Sequence, residues 1–161
     1  MDNTEKGKAG EDFVHTIAVE SFLKHWCYPN PMDIGGDKKE ICDLLVVFDK
    51  ICIIVSVKNY SFKGNYKTYF KKTIEKAISQ ISGAERKLFG NRTILLKHPD
   101  RVQEEFNKEQ IQKIYRIVVN LNPDIKYYQT SFKRKDKTYT IMDAPAWLGA
   151  ITELNTHPDL I

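Results

Sequence analysis

The sequence predicts a mixed α+β (α/β) domain, a central sheet flanked by helices. Three observations predict it. An apolar, β-branched hairpin runs from Cys42 to Phe48, through Asp49-Lys50, and back from Ile51 to Lys58. Long segments with helical apolar spacing precede and follow that hairpin, and a further apolar strand lies at Ile114 to Asn120. Helices and strands therefore interleave, and a sheet covered by helices buries all of their apolar faces.

The chain has 161 residues, 42% of them hydrophobic and 29% charged, which suits one globular domain over residues 1–161 with its own core. It ends on Leu160-Ile161 without a polar tail, leaving open that it is the N-terminal part of a longer protein. No apolar run reaches the roughly 20 residues that cross a bilayer, and Met1 to Lys6 lacks the apolar core of a signal peptide. Three cysteines without a CxxC spacing point to core thiols in a reducing cytoplasm rather than a disulfide or a zinc site. A net charge of +4 suits a polyanionic partner without specifying one.

Taken in order, the first helix is expected over residues 6–26, with Phe13, Val14, Ile17, Ala18, Phe22 and Trp26 on its core face. Cys27 to Lys39 is rich in Pro and Gly and reads as a connection that could hold a short edge strand. In the hairpin, a two-residue loop at Asp49-Lys50 pairs Phe48 with Ile51, and counting back sets Asp43 opposite Ser56. Directly opposed residues share a face with Cβ atoms about 5 Å apart, and Lys58 joins that face because the strand period is two. Ser61 to Asn65 is a loop. A second helix is expected over residues 66–89, with Phe70, Ile74, Ala77, Ile81, Ala84 and Leu88 on one stripe and Lys72, Lys76 and Gln80 along its flank. Gly83 inside it either weakens the helix or marks close packing on a neighbour. A short strand is expected at Thr93 to Lys97, a surface helix over Val102 to Lys113, and strands at Ile114 to Asn120, Lys126 to Phe132 and Thr138 to Met142. Asp143 is a helix N-cap with Pro145 just inside, opening a last helix from Ala144 to Leu154.

Acid, hydroxyl and lysine thus converge at the open end of a buried hairpin. Mg²⁺ takes oxygen ligands, commonly one or two carboxylates with water and phosphate oxygens, and a neighbouring lysine can stabilise phosphate charge. Those are the ingredients of metal-assisted phosphodiester hydrolysis, with Glu11 a further candidate acid and His15 one turn beyond it on the same face. The plain alternative is that Asp43 and Lys58 form only a strand-end ion pair, worth at most about 1 kcal/mol. Lys63, Lys67, Lys71, Lys72 and Lys76, interleaved with Tyr66, Tyr69 and Phe70, are the densest basic cluster, readable as phosphate contacts or as a solvated face. Lys133 to Lys137 reads as a plain hairpin turn, with a nucleic-acid contact there as the alternative. No GxxxxGK[ST] loop and no GxSxG elbow is present.

The order helix with Glu11, Ile41-Cys42-Asp43-Leu44, Ile54-Val55-Ser56-Val57-Lys58, helix with Gln80 resembles the PD-(D/E)xK, or restriction-endonuclease-like, nucleases. The strings CDLLVVF and QISGAERKL are similar to those of uncharacterised bacterial proteins assigned to that fold. The resemblance spans residues 6–89, with Ile114 to Asn120 as a further core strand. It implies a restriction-endonuclease-like mixed sheet and hydrolysis of DNA with Mg²⁺ or Mn²⁺. It also implies that Asp43, Glu11 and the Val57 carbonyl bind metal, that Lys58 activates water, and that Gln80 faces the site. Cys42 stands where the family has Pro, a common departure. Ser56 stands where the family carries Asp or Glu, and a neutral hydroxyl is a poorer Mg²⁺ ligand. Two accounts follow: another acid such as Glu11 enters the ligand shell, or the chain is an inactive relative. The latter would bind nucleic acid or a protein partner in a bacterial defence or mobile-element system. DNA is the expected partner, no membrane is expected, and a homodimer stays open.

Overall fold

The computed structural model describes residues 3–20, 22–123 and 129–156. Helix α1 (Asn3–Glu20) leads into a 3₁₀ turn (Phe22–Trp26) and three strands, β1 (Cys27–Pro29), β2 (Leu44–Phe48) and β3 (Ile51–Lys58). A long helix follows as α2 (Tyr66–Phe70), a π-helical turn (Lys71–Glu75) and α3 (Lys76–Leu88). Then come β4 (Leu95–Leu96), β5 (Glu104–Glu105), a 3₁₀ turn (Lys108–Gln110), β6 (Lys113–Asn120), β7 (Ser131–Arg134), β8 (Lys137–Met142) and α4 (Ala144–Thr156). The chain is therefore mixed α+β, with a six-stranded mixed sheet in the order β1-β2-β3-β6-β8-β7. β3–β6 and β6–β8 are parallel and the other neighbours antiparallel, while β4 and β5 form a separate pair.

Alternation along β3 sorts the core. Cys52 and Ile54 face the long helix and pack with Ile74, Ala77, Ile78 and Ile81. Val55 and Val57 face the opposite side, where Val14 and Ala18 of α1 and Trp147 and Ile151 of α4 cover them. Ser56 and Lys58 follow the even residues, so they lie on the long-helix face at the strand's C-terminal end. The hairpin has the expected register, Phe48 opposite Ile51 and Leu44 opposite Val55, with Asp49 in the left-handed region (φ 46°). The edge strand in the Pro-rich connection forms as β1. Asp143 caps α4, its Oδ1 accepting from Ala146 N at 2.9 Å.

Several expectations are corrected. Phe13 is 41% exposed, because α1 meets the sheet through the narrow row Gly10, Val14 and Ala18, and Phe13 lies one residue round the helix. The side chain of Phe22 lies outside the described residues. The second helix is not uniformly α-helical. Tyr69, not Phe70, opens its buried stripe: its hydroxyl donates to Asn120 Oδ1 at 2.9 Å, and Thr73 Oγ1 donates back to its carbonyl at 2.8 Å. The π turn inserts about one extra residue per turn, so Lys72 and Lys76 do not share one line, whereas Lys76 and Gln80 do. Gly83 packs on nothing, since a Cβ there would find no atom within 4 Å.

The surface helix expected over Val102 to Lys113 does not form. That stretch has no helical apolar row; it buries Phe106 against Phe89, donates Phe106 N to Ile94 O, and pairs Glu104–Glu105 with Leu95–Leu96. Residues 124–128 lie outside the description, and with them the front of the strand expected from Lys126.

Candidate active site

The site is built where β2 begins and β3 ends. One step beyond the Leu44–Val55 pair, Asp43 stands opposite Ser56. Asp43 Oδ2 accepts the Val57 N–H and the Ser56 hydroxyl (3.1 Å), and Lys58 Nζ lies 3.8 Å away. Lys58 Nζ also donates to Ser56 Oγ at 3.0 Å and to the Val57 carbonyl at 2.8 Å. Gln80 reaches in from α3 with Oε1 3.3 Å from Ser56 Oγ, so the Ser56 hydroxyl can turn between Asp43 and Gln80. Asp43, Ser56 and Lys58 are all buried. A strand-end ion pair in solvent would leave these groups wet; here they are inside, where charge is costly unless compensated.

Helix α1 brings Glu11 to this cluster. Asn59 Nδ2 donates to the Lys6 carbonyl and Lys6 Nζ to Ser61 Oγ, both at 2.7 Å, fastening α1 to the chain beyond β3. His15 Nε2 lies 2.6 Å from the Asp43 carbonyl and braces the main chain that carries the acid. Gly10 allows the approach: a Cβ there would sit 3.0 Å from Asn59 Cβ and Leu121 Cδ1. Burial first, and then the charge on Asp43, hold the Glu11 carboxyl above its ordinary range.

Glu40 is a member that the sequence reading missed. Its carboxyl is raised by burial, then by Asp43 and Glu11, and it shares a hydrogen bond with Asp43. Only its place three residues before Asp43 could have flagged it, since loop residues have no period to show where they face. Its segment is nevertheless pinned, by the Met32–Glu40 bridge and by Ile41 N donating to Pro31 O at 2.8 Å. Burial draws the Lys58 ammonium below its ordinary range, against the pull of Asp43, Glu11 and Glu40, and Lys76 lowers it further. Glu40, Asp43, Ser56, Gln80 and Lys87 line a cavity of about 280 Å³.

The structure therefore gathers Asp43, Ser56, Lys58 and Gln80 by direct contact and Glu11 by charge. Among the described residues, no three His, Cys, Asp or Glu side chains are arranged to hold a metal ion. Of the basic cluster, Lys76 stands nearest the site, and Lys63 and Lys72 line a separate cavity of about 190 Å³ with Tyr60 and Tyr69. Lys67 and Lys71 are exposed on the same helix. The three cysteines are buried and unbridged; burial pushes the Cys27 and Cys52 thiols up to about 12, as expected of inert core thiols. Among the described residues no helix is long and apolar enough to cross a membrane. Compared with known proteins, the chain matches no family model, no curated protein and no solved structure.

Proposed function

We propose that the chain is a PD-(D/E)xK-type nuclease that hydrolyses phosphodiester bonds of DNA at the Asp43–Lys58 site with Mg²⁺ or Mn²⁺. One observation carries the reading: a buried lysine faces Asp43 while Glu11 and Glu40 crowd the same end of the hairpin. An ordinary ion pair needs one acid. Titratable groups perturbed by burial together with specific charged neighbours in a cleft are candidates for a functional site.

The fit to a divalent cation is one of donor chemistry. Burial first, and then the charge on Asp43, raise the Glu11 and Glu40 carboxyls, so three carboxyls share one end of the hairpin with a single lysine, and hard oxygen donors are what such a cation takes. Asp43, Glu11 and Glu40 are the residues that would hold it, although they are not gathered into an ion-holding group as they stand. The Val57 carbonyl, a ligand by the family resemblance, accepts Lys58 Nζ instead. A bound cation supplies Lewis-acid polarisation of a phosphoryl oxygen and a more acidic water. The chain's own groups supply the rest. Val57 N–H and Ser56 orient Asp43, His15 holds its main chain, Lys58 offers N–H donors to a phosphate oxygen or an attacking water, and Gln80 positions the Ser56 hydroxyl.

A specific observation favours a second reading. Ser56 is neutral, and the Lys58 ammonium already occupies Ser56 Oγ and the Val57 carbonyl, serving as a built-in cation. A fold so arranged would bind phosphates without cleaving. The test is incubation of purified protein with DNA and Mg²⁺ or Mn²⁺. Cleavage is expected, with Asp43→Ala and Lys58→Ala each lowering it by about 100-fold or more. Wild-type rates in both variants would sink the catalytic assignment, and salt-sensitive binding without cleavage selects the second reading. Absence of both at low salt ends the nucleic-acid reading altogether.

A further inference from the structure

A further cavity is larger than the two described above. A groove of about 540 Å³ lies along the other flank of α3, between that helix and the β7–β8 hairpin. Its walls carry Arg86 from α3, and Arg134, Lys135 and Lys137 from the hairpin, with the Ser79 hydroxyl and the Ser82 hydroxyl, the latter paired with Tyr139 Oη at 2.8 Å. The one acid in it, Glu85, is fully engaged: Arg116 grips it through two bonds of 2.8 and 2.7 Å, and Lys137 adds a third at 3.0 Å. Among the described residues no carboxylate pairs with Arg86, Arg134 or Lys135. The groove therefore presents three uncompensated cations beside hydroxyl donors.

The hairpin turn holds part of this charge at a conformational cost. Lys135 (φ 49°) and Asp136 (φ 60°) both adopt the left-handed region, where a tight hairpin turn favours Asn-Gly. A glycine at 135 would relax the turn and would remove the cation.

From this groove we infer a second nucleic-acid contact, one that takes the phosphate backbone of a strand whose neighbouring segment lies at the Asp43–Lys58 site. The inference rests on the nucleic-acid reading of that site but not on cleavage. Arg, Lys and Ser side chains are the donors that meet phosphate oxygens. Ser79, Ser82 and Arg86 line this groove, while Gln80, Gly83 and Lys87 of the same helix line the site's cavity, so the two share one helix as their dividing wall. A helix with its side chains is about 10–12 Å across. A ligand that reaches both sides is a polymer with regularly spaced anions rather than a single nucleotide.

The experiment measures fluorescence anisotropy of a labelled single-stranded oligonucleotide, with Ca²⁺ in place of Mg²⁺, across a salt series. Arg134→Glu/Lys135→Glu should weaken binding on the order of tenfold and flatten the log–log salt slope by about 1.4, the loss of two phosphate contacts. Lys135→Gly should weaken binding while raising the thermal midpoint, so that a loss of affinity cannot be ascribed to misfolding. Lys72→Glu/Lys76→Glu reports on the other flank. Unchanged affinity and slope in both hairpin variants, with binding lost in the Lys72/Lys76 variant, overturns the second contact and leaves the first reading intact. No binding by the wild type at low salt removes both. Displacement of the oligonucleotide by polyglutamate at equal charge assigns the groove to an acidic protein and also overturns the proposal.

Discussion

A buried carboxyl gains less by ionising than one in open water, and less again beside other carboxyls; Glu40 is held up by burial first and then by Asp43 and Glu11. Its folded-state value lies above the ordinary 4.5, so between those values the folded chain holds a proton that the unfolded chain has released. The contribution of Glu40 to folding stability is therefore greatest below 4.5 and falls as pH rises through the raised value. Lys58 works in the opposite direction at the other end of the scale. Its folded value lies below 10.5, so stability recovers as pH rises through that value toward 10.5. Glu40→Gln should raise the thermal midpoint at neutral pH, and the gain should vanish at pH 4, where the wild-type carboxyl is itself protonated. Melting curves at the two pH values check this, and equal midpoints at neutral pH would show that Glu40 is not crowded. The same residue marks how far the sequence could be read. Asp43, Ser56 and Lys58 were legible because a two-residue loop sets the register and the strand period sets the face. Glu40 was not, because nothing local fixes where a loop side chain points until Pro31 and Met32 pin its backbone.

Two glycines on two helices play opposite parts. Gly10 is a contact: its missing Cβ lets α1 lie against Asn59 and Leu121 and delivers Glu11 to the site. Gly83 borders the site's cavity and touches nothing, so its cost is only conformational. Gly83→Ala should stabilise the protein by about 0.5–1 kcal/mol and leave function unchanged. Gly10→Ala gains the same propensity but forces α1 outward, for a net loss of about 1 kcal/mol and reduced activity through displaced Glu11. Urea titration with a cleavage assay separates the two, and equal effects would refute the contact role of Gly10. At this scale apolar runs and periodicity placed β3, β6 and the long helices, although the first helix ends at Glu20 and the stretch expected to carry it to Trp26 is a 3₁₀ turn. They failed where one anchoring contact decided the matter. The Tyr69 hydroxyl on Asn120 and the Thr73 back-bond produce a π turn that a 100° projection cannot show, and Phe106 holds as extended chain a polar stretch that could have been helical.

At the scale of the molecule, α3 is the wall between the site and the basic groove, and a single buried charge cluster ties it to the far half of the sheet. Glu85 accepts from Arg116 on β6 and from Lys137 on β8, and the Glu85 and Arg116 side chains are only 9% and 13% exposed. Burial works against the Glu85 carboxylate, yet the hydrogen bonds from Arg116 and Lys137 outweigh it and hold the acid below its ordinary range. Such a cluster stabilises little against an apolar replacement but is costly to break on one side, because the surviving charge stays buried without a partner. Glu85→Ala should therefore destabilise the fold by about 3–5 kcal/mol. The double variant Glu85→Ala/Arg116→Met should recover most of that loss, since both buried charges are then gone. Chemical denaturation of the wild type, the single and the double variant measures the coupling. A single variant within about 0.5 kcal/mol of wild type would mean that Arg116 finds water when its partner leaves, and that apolar packing with the remaining polar contacts of α3, among them Lys87 on Asp33 and Asp37, seats the helix. With the cluster intact, the backbone of α3 that carries Gln80 on one flank and Arg86 on the other is seated on the sheet, as the strand proposed to cross both flanks would require.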